Sequence, residues 1–589
     1  MGRYRSDRGR RLPGVAHLSP RTVALIAAVL AVVAAAPFLL NGLGAAPFDD
    51  PGEGMHAEIA RELVRSGPGL PLTLNGVPYL DKPPLLYALL AGSFAIGGPS
   101  EAAARAVSAG AALVAIAATA WLGARLVGGR AGLTAGLALA TSLGFFVYGR
   151  YVRPETLLLA TLAVGFALTL DGLVTAHRWR VIAGLAVFGL AALAKDPLAA
   201  LGPPLAIGLA LALSGHARPF ERWLPWPGVV LGLALAFGWW ALAEYSTPGF
   251  TWYTVVDNHL LNVARARHFP DEDVPLGAGE FLLVAVLGAV PWIVPAVASV
   301  VRLVRRRAWR EPAELPWVAL ALWAAGVIGL TALSPFRLPH YGLPAYPAIA
   351  LLAARGWHEA QGRSLAVLHA LLFGALAVAA GLAWTTDGSA FMTGVLGTTD
   401  VATRKMSVAG APPPLPPWSA FRPLVGAAAI TLAAGGVALA VSAVMRARTA
   451  ATYATVATLM LLLPSASSAL GLVAAHRAVK PIAELIARQA APADIVVHEG
   501  PIENSGAFEW YSGRRPVIVD GRRSVLGFGA TRPEAAATFW DAGRLELAWR
   551  GSRRVWVVSG RPPERSVVAQ LPGARLVDAT GGRSLYVNR

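Results

Sequence analysis

The chain has 589 residues, of which 55% are hydrophobic and only 14% charged, with no cysteine and a formal net charge of +17. A mean hydropathy of +0.53 excludes an ordinary soluble globular protein. The absence of cysteine excludes a disulfide framework, a thiolate metal site and a cysteine nucleophile.

Apolar runs rich in Ala, Leu, Val and Gly recur from residue 21 to about 472. Their lengths approach the roughly 20 residues that cross a bilayer as helix, so the expected fold is an all-α polytopic membrane bundle. The Arg residues lie in short clusters between these runs, which is a pattern of membrane orientation and not of nucleic-acid binding. An Arg-rich tail, 1–20, precedes a long apolar run without a small-residue cleavage site, and reads as a cytoplasmic tail ahead of a retained helix.

The segment after that first helix, from Phe48 to Pro84, is charged. It holds Asp49, Asp50, Glu53, His56, Glu58, Asp81 and Lys82. Asp50, Pro51 and Glu53 stand at N-cap, N1 and N3 of a predicted helix, with Met55, Ile59 and Leu63 on one face; this spacing suits a helix cap and equally a crowded carboxylate group with one raised pKa. Lys82, held by two following prolines, is placed to meet a phosphate as a point charge, or to snorkel at the interface. The stretch 84–98 is short, begins with Pro and ends in Gly-Gly-Pro; it is expected to lie at the interface.

With 84–98 outside the membrane, thirteen spans are predicted: 21–41, 104–126, 131–148, 157–174, 179–194, 197–214, 226–243, 280–302, 316–333, 341–356, 364–384, 422–443 and 450–472. This parity puts Arg125 with Arg130, His177 to Arg180, Arg218 with Arg222, Arg302 to Arg310, Arg355 with Arg363, and Arg446 with Arg448 on the inner face. The outer face then receives the first loop (42–103), Arg150 with Arg153 and Glu155, Lys195 with Asp196, the loop 244–279, Arg337 with His340 and Tyr341, and the loop 385–421. Ionisable groups gathered at one face of a bundle mark function, and basic groups around one cavity suit a lipid phosphate. In the loop 244–279, which also holds Asp257 and His268, Arg265 and Arg267 could grip a phosphate or diphosphate, and His259 could join a carboxylate in holding Zn, Mn or Mg, although the spacing is not that of a metal motif.

Beyond residue 476, short β-rich runs (DIVVHEG, RPVIVDG, RRVWVVSG, SLYVNR) alternate with helical segments, so 476–589 is expected to be a soluble α/β domain on the outer face. The fragment GFGATRP at 527–533 does not lead from a strand into a helix, and no nucleotide or organic cofactor is expected.

The order of the motifs, D-P-x-E-x-x-x-A-E-I-A-R-E, N-G-x-P-Y-x-D-K-P-P-L-x-Y, R-x-x-P-E, K-D-P and L-P-H-Y-x-L-P-x-Y-P, closely resembles the bacterial membrane glycosyltransferases related to aminoarabinose lipid A transferase and the polyprenyl-phosphate-mannose protein mannosyltransferases. The resemblance implies a GT-C fold over 21–475 with a periplasmic cap, in a multi-pass protein of the bacterial inner membrane. It implies inverting transfer of a sugar from a polyprenyl-phosphate donor to a lipid, glycan or protein acceptor on the periplasmic side, as in lipid A modification or protein mannosylation. Carried over by position, Asp50 or Glu53 is the acid that activates the acceptor. Lys82 contacts the donor phosphate with Arg265, Arg267 and Arg337. Asp81 and His259 are the pair able to hold a divalent metal, and Glu155, Lys195, His340 and Tyr341 are polar cavity positions. No nucleic-acid partner is expected, and the chain reads as a monomer. The competing class, a transporter or flippase of lipid-linked sugars, calls for ionisable residues near the bilayer midplane and often a repeat; neither is seen.

Overall fold

The computed structural model describes residues 18–49, 52–67, 69–360, 362–408, 410 and 414–589. Asp50 and most of the basic tail lie outside these residues. The chain begins with α1 (Pro20–Leu40), followed by α2 (Gly52–Ser66), a hairpin of β1 (Leu72–Leu74) and β2 (Val77–Tyr79), and α3 (Leu85–Gly97). The bundle continues with α4 (Glu101–Leu126), α5 (Gly129–Ala140), α6 (Leu143–Gly149), α7 (Pro154–Thr175), α8 (Arg178–Ala192), α9 (Leu198–Leu213) and α10 (Trp226–Ser246). Its second half comprises α11 (Ala278–Leu287), α12 (Ile293–Arg305), α13 (Leu315–Leu333), α14 (Tyr346–Glu359), α15 (Ser364–Thr385), α16 (Ser389–Thr399), α17 (Val401–Val408), α18 (Trp418–Val444) and α19 (Arg448–Arg477).

Every predicted span is helical, but they are not thirteen full crossings. Among the described residues eight helices are long and apolar enough to cross a membrane, or nine if α5 and α6, bent by 67°, form one span. The shortfall has local causes. Pro291 separates α11 from α12 where one span over 280–302 was expected, α9 carries Pro203 and Pro204, and α14 begins only after the Pro-rich turn 339–345. The 13-residue α3 is short of a bilayer crossing, at about 1.5 Å per residue.

The two ends of α7 define the two ends of the bundle. Glu155 opens the helix, and Asp171 near its far end accepts from Arg125 Nε at 2.7 Å and pairs with Arg180. Arg355 pairs with Glu314 at 2.5 Å and with Glu359 at 2.7 Å, and Arg302 with Glu359 at 3.3 Å. Four of the predicted inner-face arginines, Arg125, Arg180, Arg302 and Arg355, are thus matched by carboxylates.

The C-terminal region is α/β as expected. After α20 (Lys480–Gln489) come β3 (Ile495–Glu499), α21 (Gly506–Ser512), β4 (Val517–Val519), β5 (Phe539–Trp540), α22 (Ala542–Arg550), β6 (Val555–Ser559), β7 (Arg575–Thr580) and β8 (Arg583–Val587). The sheet order is β5-β4-β3-β6-β8-β7. Strands β3 to β6 pair in parallel, with His498 opposite Ile518 and Val558, and β8 and β7 add an antiparallel edge.

This domain covers the first loop. Helices α2 and α21 cross with their backbones nearly touching: a Cβ on Gly54 would fall 2.6 Å from Ala507 N, and one on Gly506 would fall 2.6 Å from Met55 Cα. Arg61 donates to the carbonyls of Trp510 and Glu509 at 2.9 and 3.0 Å, and Asn75 Nδ2 donates to that of Pro516 at 2.7 Å. Tyr253 stacks on Phe528 with ring centroids 4.7 Å apart. Residues 52–60 are buried on every side as a result. Glu58 and Glu62, on what the helix pattern offers as a wettable face, lie beneath the C-terminal domain.

Gly54→Val and Gly506→Val should each push α2 and α21 apart and cost about 2 kcal/mol or more. Thermal unfolding in detergent should show a lower midpoint, and limited proteolysis should cut the C-terminal domain faster. An unchanged midpoint would mean that the close crossing does not hold the two parts together.

Candidate functional site

Arg105 sits one turn into the alanine-rich α4, whose other cation, Arg125, lies at the far end. Its guanidinium donates to Glu53 Oε1 and Oε2 at 2.8 and 2.6 Å and to the carbonyls of Leu43, Ala46 and Pro47 at 2.7–2.8 Å. Glu53 also accepts the backbone N–H of Val152 and of Asp49, both at 3.1 Å. At 1% exposure, Glu53 has both oxygens engaged by donors from three parts of the chain. Such a carboxylate fixes the loop and has little capacity left for a substrate.

Asp49 accepts from Arg477, at the end of α19, which also donates to Asp400 at 2.5 Å. Burial pushes the Asp49 carboxyl up to about 6, against the opposing pull of Arg477. Among the described residues its Oδ1 is buried without a hydrogen-bond partner.

The polar groups predicted for the outer face converge on Glu155. Lys195 Nζ lies 3.2 Å and His340 Nε2 3.3 Å from Glu155 Oε1, while Oε2 is buried and unpartnered. His340 Nδ1 faces Arg153 Nη1 at 3.2 Å, and an arginine can only donate, so Nδ1 accepts and the proton sits on Nε2, directed at Glu155. Burial holds His340 well below the usual histidine range, a direction that Arg153, Lys195 and Lys82 reinforce and Glu155 opposes. Lys195 also stands 4.6 Å above the Tyr341 ring.

The first loop supplies a second wall. Lys82 pairs with Asp81 at 2.5 Å; burial works to lower its ammonium, and Asp81, Glu155 and Asp196 outweigh that and raise it. His56 Nδ1 meets the Tyr87 hydroxyl at 2.8 Å, and burial with Arg153 lowers its pKa to about 3, so it is neutral. Arg153, Lys195 and Lys82 therefore stand as three cations against the carboxylates of Glu155 and Asp81.

The remaining predicted residues are elsewhere engaged or turned out. Arg337 donates to the carbonyls of Leu276 at 2.8 Å, Ala332 at 3.1 Å and Ser334, so it ties its turn to the neighbouring loop. Arg267 is held by Asp271 at 2.8 Å and Asn258 at 2.7 Å. Arg265 is exposed, with left-handed backbone at φ 56°. His259 Nδ1 faces the Thr254 carbonyl at 2.6 Å, and Asp81 is taken by Lys82. Among the described residues the one group of three side chains able to close on an ion is Glu58, Glu62 and Glu509, which contains neither. Among the described residues the donor set around Asp81 and His259 does not fit a metal.

Glu58, Glu62 and Glu509 lie where α2 meets α21, compensated by Arg61 at 2.5 Å from Glu58 and by Arg515 at 3.2 Å from Glu62 and 3.3 Å from Glu509. This is a charged clasp between loop and domain. Burial pushes Glu58 up to about 7 and Glu509 up to about 8.

Arg105 and Arg477 carry no motif of their own, although a charge inside an apolar helix is costly enough to be a signal in itself. The pairing of loop 262–277 with α17 leaves no trace in the sequence at all.

Residues 81–241 match the family model of dolichyl-phosphate-mannose-protein mannosyltransferases. No curated protein matches the sequence. Among solved structures, the chain is similar to ArnT from Cupriavidus metallidurans bound to undecaprenyl phosphate, with a TM-score of 0.77 and 20% identity over 95% of this chain and 98% of that one. It is also similar to the apo state of that protein, with a TM-score of 0.76 and 21% identity over 95% and 97%. The chain has the GT-C fold expected from its motifs, along almost its whole length.

Arg105→Met should leave Glu53 buried without its cation and cost about 3–5 kcal/mol, and adding Glu53→Gln should restore part of the loss; thermal unfolding of the two variants beside the unaltered protein tests this. The clasp has a definite pH sign. Glu58 and Glu509 titrate higher in the folded protein than the ordinary carboxyl value of 4.5, so their contribution is complete below that value and is lost as pH rises through about 7 to 8. Unfolding midpoints should fall between about pH 4.5 and about pH 8, and Glu509→Gln should flatten the change.

Proposed function

We propose that this protein is an inverting glycosyltransferase of the bacterial inner membrane that moves a sugar from a polyprenyl-phosphate donor, of the undecaprenyl-phosphate kind, to a lipid, glycan or protein acceptor on the periplasmic face. The observation that carries this reading is the convergence of Arg153, Lys195, His340 and Lys82, from four separate segments, around Glu155 at one end of the bundle. A protein of the same fold binds undecaprenyl phosphate.

The chemistry follows from the charges. The acceptor oxygen attacks the anomeric carbon from the face opposite the phosphate, the carbon–oxygen bond to the phosphate breaks, and the electron pair leaves with the polyprenyl phosphate. That departing charge needs cations and no general acid, because a phosphate is already a good leaving group. Lys82, with Lys195 and Arg153 beside it, supplies them in a site shielded from water. Glu155 keeps Lys195 and His340 in place, and the Nε2 proton of His340 remains with it. The acceptor proton goes to a carboxylate on the opposite face of the sugar. Asp50 takes that role, and Glu53 serves by pinning the loop through Arg105. The N-terminus is cytoplasmic and the C-terminal domain periplasmic, which puts the covered loop and the cavity on the donor's side of the membrane.

Purified protein in detergent, incubated with radiolabelled polyprenyl-phosphate sugars and a membrane extract, should move label from a donor into lipid, glycan or protein. No donor consumption, together with movement of the same lipids across liposomes, would replace this reading with a flippase. Lys82→Ala should lower transfer by a factor of about 100 or more without unfolding. Asp50→Asn should abolish it in a folded protein; if Asp50→Asn retains activity and folded Glu53→Gln does not, the acid is Glu53.

A further inference from the structure

Near the group around Glu155 lie charged side chains that the mechanism above leaves unused. In the loop before α11, the N–H of Asp273 donates to Asp271 Oδ1 at 2.9 Å, and Asp271 Oδ2 accepts from Arg267 at 2.8 Å. Helix α17 brings Lys405 Nζ to 2.6 Å from Asp273 Oδ1. From the C-terminal domain, the short turn Ile502–Ser505 adds Glu503, 3% exposed, with neither carboxyl oxygen bonded to another residue. Lys405, Asp273 and Asp271 are the charged groups that act on Glu503, and Lys405 feels Asp273 and Glu503 together. Asp273 also acts electrostatically on Arg153 and Tyr341, so the pair lies near the group around Glu155.

A buried carboxyl without a donor costs about 1–3 kcal/mol. Burial pushes Glu503 up to about 8, so it is mostly uncharged at neutral pH. Glu503 thus adds a dry carboxyl group near the ion pair that Lys405 makes with Asp273. The Lys405 and Asp273 side chains each keep 19% of their surface exposed, enough for a ligand to reach, whereas Glu503 does not. Arg267 and Lys405 are each paired with a carboxylate, so donor and acceptor groups stand side by side here.

We infer that Lys405 and Asp273 form an acceptor-side subsite for an uncharged, hydroxyl-bearing group such as a sugar ring, and that Glu503 of the C-terminal domain is its positioning residue. This rests on the transfer reading above. The ammonium donates to one hydroxyl oxygen and the carboxylate accepts from a hydroxyl, which suits a polyol.

The test uses the full chain in detergent, a radiolabelled polyprenyl-phosphate sugar that the unaltered protein consumes, and graded membrane extract as acceptor. Glu503→Leu should raise the extract concentration for half-maximal rate about tenfold, with the maximal rate within about twofold and half-saturation by donor unchanged. Glu503→Asp should fall between the two. Lys405→Gln, on a different segment, should act alike, and the double variant should be no worse than Lys405→Gln alone. Extract treated with phosphatase should still accept label. A lower maximal rate at unchanged half-saturation, additive effects, or loss of acceptance after phosphatase would overturn the subsite. Absence of donor consumption by the unaltered protein would overturn the transfer reading and this inference with it.

Discussion

Arg105 with Glu53 is the interaction on which the outer half of the molecule depends. One guanidinium binds a carboxylate in bidentate fashion and collects three carbonyls of the segment 43–47, and the same carboxylate takes N–H groups from Asp49 and Val152. A charged loop buried between apolar helices and a soluble domain would otherwise leave many polar groups without water or partners. The pair turns that loop into a fixed wall, and α2, the β1–β2 hairpin and Lys82 are placed from it.

Confinement of this kind sets the electrostatics of the cavity. His340 and His56 are kept neutral by burial and by nearby cations, while Lys82 stays charged because Asp81 and Glu155 outweigh its desolvation. Positive charge is thereby concentrated on the lysines and Arg153, and the imidazoles serve as hydrogen-bonding groups of fixed tautomer. A preorganised arrangement of this sort meets developing negative charge without rearranging at the moment of reaction.

The C-terminal domain belongs to this construction. It buries the polar face of α2, stacks Phe528 on Tyr253 and brings Glu503 up to Lys405. The close approach at Gly54 and Gly506 is what lets Glu509 reach Glu58 and Glu62. Loop and domain therefore share one stability, and the clasp between them is tuned by protons.

The sequence by itself determined the membrane bundle, the α/β domain and the grouping of Glu155, Lys195, His340 and Lys82 at one end, because hydropathy, arginine placement and Pro-flanked motifs are local signals that survive without tertiary context. It also placed Asp81 beside Lys82, although not as a partner that precludes a metal. Only the tertiary structure decided that Arg337 spends its donors on backbone carbonyls, that Glu53 is locked by Arg105, and that α11 and α12 are separate helices. It alone brought Lys405 to Asp273 across more than a hundred residues. Partner choice for a charged side chain is a contest among all groups within reach in a poorly screened interior, and which groups are within reach is a property of the fold, not of the chain.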